Sequence, residues 1–124
     1  MRMKRAKGAC IYAHAYREFL LVVYLLSEGA IMREVKVERA LVAAVKKKHG
    51  LCMKFTSPGL DGVPDRIVLL PHGKLAFIEL KVPGKKLRPL QELRVKQLQE
   101  LGQQVFVIDN KEMIGGVLDE IQTT

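Results

Sequence analysis

Asp65, Glu79 and Lys81 have the side-chain types and the spacing of a site that binds a divalent cation. Carboxylate oxygens are the ligands that Mg²⁺ prefers, and one or two carboxylates with waters are a common set. Glu79 and Lys81 are two positions apart, so on a strand their side chains point to the same face. Two carboxylates held close together repel each other, and either Lys81 or a divalent cation would relieve that repulsion. A simple surface ion pair is the alternative that these three residues leave open.

A β-hairpin is the element that must bring the two carboxylates together. The runs 67–70 and 75–78 are apolar, and the link between them contains a glycine. This pattern predicts two paired strands. When the hairpin is folded about His72, Asp65 lies opposite Glu79 at its open end. We therefore expect both carboxylates at the rim of an apolar sheet face, pointing the same way.

Glu38 is a third candidate carboxylate. Residues 33–49 predict an amphipathic helix that ends at Gly50. Its apolar stripe is Val35, Leu41, Val42 and Val45. Glu38 lies on this stripe, where a carboxylate is costly unless it is paired or bound to a metal. We expect it to face inward and to share the positive partner of the other two carboxylates. Pairing with Arg39 or Lys36 at the edge of the stripe is the alternative.

The segments on either side of the hairpin complete its surroundings. Residues 51–55 predict a first strand, and 56–64 predict a loop rich in Gly and Pro. That loop either lets the backbone approach a ligand or is a plain connector. A basic cluster, Lys85, Lys86 and Arg88, follows the hairpin. Positive charge beside a carboxylate pair is explained if a phosphate backbone lies between them.

Two helices and a strand are predicted after the basic cluster. Residues 89–101 predict a helix with proline at its first position, and its apolar side is Leu90, Leu93, Leu98 and Leu101. Gln91, in the first turn, either lies near the hairpin mouth or is an ordinary exposed residue. Residues 105–108 predict a buried strand, parallel to its neighbour because it follows a helical crossover. Residues 111–121 predict a last amphipathic helix.

Composition and charge limit the class of protein. A chain of 124 residues predicts one domain. There are 21 Lys and Arg against 13 Asp and Glu, giving a net charge of +8, which favours a polyanionic partner, most simply nucleic acid. Cys10 and Cys52 have no Cys or His at zinc spacing. We therefore predict free thiols and a reducing compartment.

Residues 1–31 differ from the rest of the chain. They open with four basic residues, Arg2, Lys4, Arg5 and Lys7. An apolar run at 19–26 follows, which is similar to the order in a signal peptide. Arg17 and Glu18 abut that run, however, and it is too short for a bilayer, which needs about 20 residues. We predict a helix over 9–27 that docks on the core or on another subunit, and no membrane span. The stripe of this helix is Tyr12, Tyr16, Phe19, Val23 and Leu26.

Four stretches carry a family resemblance when they are taken together with Glu38. They are FTSPG, GVPDRIVLL, FIELK and LRPLQ, in that order. They resemble the VRR-NUC (virus-type replication-repair nuclease) family of the PD-(D/E)xK superfamily over about residues 32–109. The resemblance implies an α/β, restriction-endonuclease-like core, a mixed β-sheet flanked by helices in the order αβββαβ. We expect the nuclease domain over 32–124 and a helical N-terminal extension over 1–31.

The resemblance also implies a metal site. Asp65 and Glu79 would bind Mg²⁺ or Mn²⁺, with the backbone carbonyl of Leu80 as a further ligand. Glu38 would complete the acidic cluster, with one or two metals left open.

Lys81 and Gln91 would assist the reaction. The resemblance implies that Lys81 orients or helps to deprotonate the attacking water and stabilises charge, and that Gln91 positions Lys81 or the phosphate. Whether Lys81 is the base stays open.

The activity implied by the resemblance is that of a metal-dependent, structure-specific DNA endonuclease. It would act as a homodimer on branched DNA such as Holliday junctions, in the cytoplasm of a bacterial or phage-infected cell. A less selective flap or nick nuclease is one alternative. A non-catalytic DNA-binding scaffold and a partner-binding accessory domain are the others.

Overall fold

The computed structural model describes residues 8–124, with side chains described from residue 15 onward. The elements, in chain order, are α1 Gly8–Lys47, β1 Leu51–Lys54, β2 Arg66–Leu70, β3 Lys74–Leu80, α2 Pro89–Glu100, β4 Gln104–Ile108 and α3 Met113–Thr123. The chain divides into two units, Met1–Met32 and Arg33–Thr124. A mixed sheet flanked by helices, with an N-terminal helix, confirms the predicted α/β fold.

The four strands form one sheet in the order β1-β2-β3-β4. β1, β2 and β3 are antiparallel neighbours, and β4 is parallel to β3, as predicted. The hairpin folds about His72, with Leu70 opposite Lys74 and Val68 opposite Ala76. His72 and Gly73 both have positive φ, which closes the short link.

The hydrophobic core lies on one face of this sheet, between the sheet and helices α1 and α3. Side chains that alternate along the strands supply the sheet side, because successive strand residues point to opposite faces. The fully buried members are Leu41, Val45, Val68, Ala76, Ile78, Ile108, Leu118 and Ile121. Burial of each large aliphatic side chain stabilises the fold by about 1.5–3 kcal/mol. The core therefore holds β2, which Asp65 directly precedes, and β3, which carries Glu79.

The apolar stripe predicted for the helix over 33–49 is wrong at Val42. Val37, Leu41 and Val45 form the buried row, each one turn after the last. Val42 is exposed instead of buried. Since four residues advance a helix by slightly more than one turn, the i, i+4, i+8 row follows the core side.

α1 is one helix where we predicted two. It runs through Ser27 and Gly29, although glycine in a helix interior costs roughly 0.5–1 kcal/mol relative to alanine. At its C-terminus the backbone N–H of Gly50 donates to Val45 O at 2.9 Å, and that of His49 donates to Lys46 O at 3.0 Å. These bonds form a Schellman motif, in which His49, with φ of 60°, is the left-handed residue.

Gly50 therefore has a different role from the one predicted. A Cβ atom on Gly50 would lie 2.4 Å from the carbonyl oxygen of Leu69. The glycine lets the chain that leaves α1 pass directly against β2, and His49 ends the helix.

The buried side of α2 also differs from the prediction. Leu90, Leu93 and Leu101 are exposed. The helix turns Gln91 and Leu98 toward the sheet, and Gln91 is 6% exposed. Gln91 is thus an inward-facing residue of the first turn, which places it beside the end of the hairpin.

The apolar side chains of the N-terminal unit from Tyr16 to Leu26 are exposed. Tyr12 of the predicted stripe and the thiol of Cys10 fall outside the described side chains. The basic residues Arg2, Lys4, Arg5 and Lys7 lie outside the described residues altogether. Within residues 8–124, no helix is both long enough and apolar enough to cross a membrane.

Candidate active site

Asp65 lies at the open end of the hairpin, one residue before β2. Pairing between β2 and β3 ends with Arg66 opposite Ile78. The backbone N–H of Phe55 donates to Asp65 O at 2.8 Å. The backbone N–H of Leu80 donates to Asp65 Oδ2 at 2.9 Å. Strands on both sides therefore hold Asp65, and its carboxylate crosses toward β3, as the predicted register requires.

Glu79 is the buried carboxylate of the site, 2% exposed. Its Oε1 accepts a hydrogen bond from Nε2 of Gln91 at 2.7 Å. The same oxygen lies 3.5 Å from Nζ of Lys81. One amide and one ammonium group thus converge on a single carboxylate oxygen, beneath the first turn of α2.

The environment of Glu79 raises its pKa from 4.5 to about 7. Burial is the largest cause, because it disfavours the charged form, and the negative charge of Asp65 raises the pKa further. Lys81 acts in the opposite direction through its charge and its hydrogen bond. Lys81 therefore only partly offsets the crowding of negative charge in the protein alone.

Gln91 connects this carboxylate to the start of α2. Its Oε1 accepts a hydrogen bond from the backbone N–H of Arg88 at 3.0 Å, while its Nε2 donates to Glu79. The first bond satisfies an N–H at the helix start, in the manner of the glutamine in a capping box. Pro89 occupies the first helical turn, where its missing N–H costs no hydrogen bond. One side chain thus both caps the helix and orients the carboxylate.

Lys81 follows directly after β3, and its backbone continues the sheet. Its N–H donates to Ile108 O at 2.9 Å. The Lys81 side chain is 17% exposed, so it reaches Glu79 from a mostly buried position. The predicted set of Asp65, Glu79, Lys81 and Gln91 is therefore together in space.

Known proteins share part of this sequence and its fold. No family model matches the chain. A protein of Acyrthosiphon pisum secondary endosymbiont phage 1, "Putative nuclease p44", is 46% identical over 83 residues, which are 67% of this chain and 89% of the relative. A solved structure of a VRR_NUC domain superposes with a TM-score of 0.67 at 26% identity, over 70% of this chain and 95% of that one. The chain belongs to the VRR-NUC nuclease family. The family resemblance seen in the sequence is thereby confirmed.

The donor set of this VRR-NUC protein fits a hard divalent cation. Asp65 and Glu79 supply two carboxylates, and burial together with mutual repulsion raises the pKa of Glu79. Such a pair gains stability from a neighbouring cation. Across residues whose side chains are described, no group of three or more His, Cys, Asp or Glu is close enough to hold a metal. Two carboxylates, a carbonyl oxygen and waters or phosphate oxygens are the usual ligands of Mg²⁺.

Glu38 has a partner that the sequence analysis did not name. Its Oε1 pairs with Nη2 of Arg66, the first residue of β2, rather than with Arg39 or Lys36. The expectation that Glu38 shares the positive partner of Glu79 is wrong, because Glu38 pairs with Arg66 and Glu79 lies beside Lys81. Glu38 and Arg66 line a cavity of about 230 Å³ together with Glu34, Lys54, Phe55, Thr56, Asp65 and Leu80. Glu38 thus faces inward, as predicted, but belongs to an ion pair beside Asp65.

Strand alternation is the signal that would have identified Arg66. Because Asp65 and Arg66 are successive residues, their side chains point to opposite faces. If Asp65 faces α2, Arg66 must face the other side of the sheet, which α1 and α3 cover, and it needs a carboxylate there. Glu38, a carboxylate on the inward side of α1, meets that need.

The basic cluster Lys85, Lys86 and Arg88 lies in the exposed segment between β3 and α2. Gly84 has φ of 84°, and the N–H of Lys85 donates to Val82 O at 3.0 Å, so the segment begins with a tight turn. These charges are directed to solvent and do not pack against the carboxylates.

The loop before Asp65 uses its glycine to approach α2. Gly62 has φ of 82°, and a Cβ atom there would lie 2.8 Å from the carbonyl oxygen of Leu90. Pro64 is fully buried. The backbone N–H of Leu60 donates to Ser57 O at 3.3 Å, and Nε of Arg94 donates to Asp61 O at 2.8 Å. Within this chain the loop serves to fix Asp65 against the helix that carries Gln91.

Proposed function

We propose that this VRR-NUC protein is a divalent-metal-dependent, structure-specific DNA endonuclease that cleaves branched DNA such as Holliday junctions. The observation that carries the proposal is the convergence of Gln91 and Lys81 on Glu79, beside the Asp65 carboxylate, which accepts a hydrogen bond from β3. Burial and like charge at Glu79 are conditions under which a divalent cation stabilises the site. The net charge of +8 favours a polyanionic substrate.

The chain's own residues have separate roles in the proposed reaction. Asp65, Glu79 and the Leu80 carbonyl would hold Mg²⁺ or Mn²⁺. When bound, the cation would supply an activated water and neutralise charge on the scissile phosphate. Lys81 lies on the same side of the site as Glu79. From there it would orient or help to deprotonate the attacking water and stabilise charge at the phosphate. Gln91 keeps the Glu79 carboxylate in place through a bond donated to Oε1.

Substrate positioning is proposed for the exposed basic cluster. Lys85, Lys86 and Arg88 follow β3 at the end where Glu79 and Lys81 lie. Phosphate contacts from such side chains give affinity and register without reading sequence. The strand that is cut would then cross the hairpin mouth, with flanking phosphates on this segment.

We also propose a homodimer and a nuclease domain formed by residues 32–124. A four-way junction has two-fold symmetry, and paired cuts need two active sites related by a two-fold axis. The phage relative supports the proposed setting, the cytoplasm of a bacterial or phage-infected cell. A less selective flap or nick nuclease is the second candidate, because the same site would serve either substrate.

A cleavage assay tests the proposal. The purified chain is incubated with a labelled four-way junction or a matched linear duplex, with Mg²⁺, with Mn²⁺ or with chelator. Asp65→Asn is compared with Asp61→Asn, which changes an exposed aspartate in the loop before the site. We expect paired cuts near the branch that need metal, disappear in Asp65→Asn and persist in Asp61→Asn.

The other results have distinct meanings. Equal cutting of both substrates would keep the site and reject junction specificity. Binding without cutting under either metal would reject the enzyme and favour a DNA-binding scaffold. Activity that survives in Asp65→Asn would show that Asp65 is not a ligand.

A further inference from the structure

Arg66 occupies a mostly buried position next to the proposed metal site. Its side chain is 14% exposed, and it pairs with Glu38, whose side chain is 28% exposed. The Nε atom of Arg66 is buried and has no hydrogen-bond partner among the described residues. Burial raises the pKa of the neighbouring Cys52 thiol, and the charge of Arg66 lowers it. A full positive charge is thus held against the inner wall of the cavity that Asp65 also lines.

This charge cannot be removed by proton loss, because an arginine guanidinium stays protonated in proteins. The Arg66 charge balances the Glu38 carboxylate that it contacts. In two-metal nucleases the cations lie about 3.5–4 Å apart and share carboxylates. A second cation held by Glu38 would lie beside the guanidinium that the same carboxylate contacts, and like charges repel each other in a partly buried site.

The remaining charges are those of Asp65, Glu79 and Lys81, since Glu34 and Lys54, which also line the cavity, cancel each other in the sum. Two carboxylates and one ammonium group leave one net negative charge, which one divalent cation more than neutralises.

We infer that Arg66 withdraws Glu38 from the metal ligands and thereby limits the site to a single divalent cation. The inference rests on the proposed metal-dependent function and adds the number of cations and the residue that sets it. Arg66 is a positioning residue, because it acts through Glu38. Glu38 is correspondingly a structural partner of Arg66 and not a metal ligand.

Mn²⁺ binding to the full chain tests this inference without any cleavage step. Free Mn²⁺ is followed by its EPR signal as the protein is titrated to millimolar metal, and bound Mn²⁺ per chain is counted. We expect one Mn²⁺ per chain in the wild type. Glu38→Gln should keep one Mn²⁺ per chain and weaken its binding by no more than the roughly 10–100-fold expected for an outer-shell residue, whereas Asp65→Asn should abolish the binding.

Arg66→Met should release Glu38 and raise the count to two Mn²⁺ per chain. The matched control is Arg39→Met. Arg39 is an exposed residue of α1, the helix that carries Glu38, and its loss should leave the count at one Mn²⁺ per chain. Circular dichroism establishes that each variant is folded. If Arg66→Met does not fold, the stoichiometry of the wild type and the effect of Glu38→Gln decide the question.

Two Mn²⁺ in the wild type would overturn the inference, as would the loss of Mn²⁺ binding in Glu38→Gln. A folded Arg66→Met that still binds one Mn²⁺ would also overturn it. Wild type that binds no Mn²⁺ would instead refute the proposed metal-dependent function, and with it the inference.

Discussion

Glu79 should make this protein less stable at neutral pH than in weak acid, and Glu79→Gln should remove that dependence. The pKa of Glu79 is 4.5 unperturbed and about 7 in the folded chain. Between these values the folded state binds more protons than the unfolded state, so the free energy of unfolding falls as pH rises. At about 1.36 kcal/mol for each step of one in pKa, the loss is complete above pH 7 and amounts to about 3 kcal/mol.

Glutamine keeps the size and the acceptor oxygen of Glu79 but cannot ionise. We therefore expect Glu79→Gln to match the wild type below pH 4.5 and to exceed it by about 3 kcal/mol above pH 7. For a domain of this size the difference corresponds to a rise in Tm on the order of 10 °C. Mn²⁺ should raise the Tm of the wild type at alkaline pH and leave that of the variant nearly unchanged, because a bound cation favours the charged carboxylate.

Thermal unfolding from weak acid to mild alkali, with Mn²⁺ or with chelator, measures both effects. Glu100→Gln, at an exposed position on α2, is the matched control and should follow the wild type. A Glu79→Gln protein that loses stability with pH as the wild type does would refute the assignment of the titration to Glu79. Destabilisation of the variant at every pH would show that the carboxylate is needed for packing.

Three further predictions address the elements around the site. Gln91→Ala removes both the helix cap and the partner of Glu79, so we expect a loss of about 1–3 kcal/mol in unfolding free energy, measured by denaturant titration. We also expect the cleavage rate in single-turnover kinetics to fall by about 10–100-fold. Unchanged values would show that Gln91 supports neither the helix nor the site. His49→Gly relieves a left-handed φ and should stabilise the fold by about 1 kcal/mol, seen as a higher midpoint of urea unfolding. Lys85→Ala with Lys86→Ala should weaken DNA binding and lower the slope of log affinity against log salt by about 0.9 for each lost phosphate contact; an unchanged slope would show that this segment does not touch DNA.

The sequence was sufficient to predict the hairpin because its signals are local. Two apolar runs of similar length and a link with Gly73 determine which residues pair, and the observed register agrees at every paired position. The proline at the start of α2 and the crossover to β4 are local signals of the same kind. The positions of Asp65 and Glu79 follow from these features, and roles for them remain proposals.

The errors arose where packing between distant segments decides the result. The leucines of α2 predicted a buried side, but the helix turns Gln91 inward because Glu79 offers it a hydrogen bond. Glu38 was correctly expected to face inward, and its partner Arg66 is 28 positions away along the chain. The predicted break between residues 27 and 33 is wrong, because the one glycine there, Gly29, costs too little to end a long helix.

The bond from Gln91 to Glu79 has a consequence for newly made chains. During synthesis, residues through Lys81 leave the ribosome before Gln91 does, so the hairpin with its two carboxylates can form first. The carboxylate at Glu79 then lacks the amide that orients it until α2 is complete and docked. Under the proposed function, the full rate of cleavage would therefore be reached only after the crossover has closed.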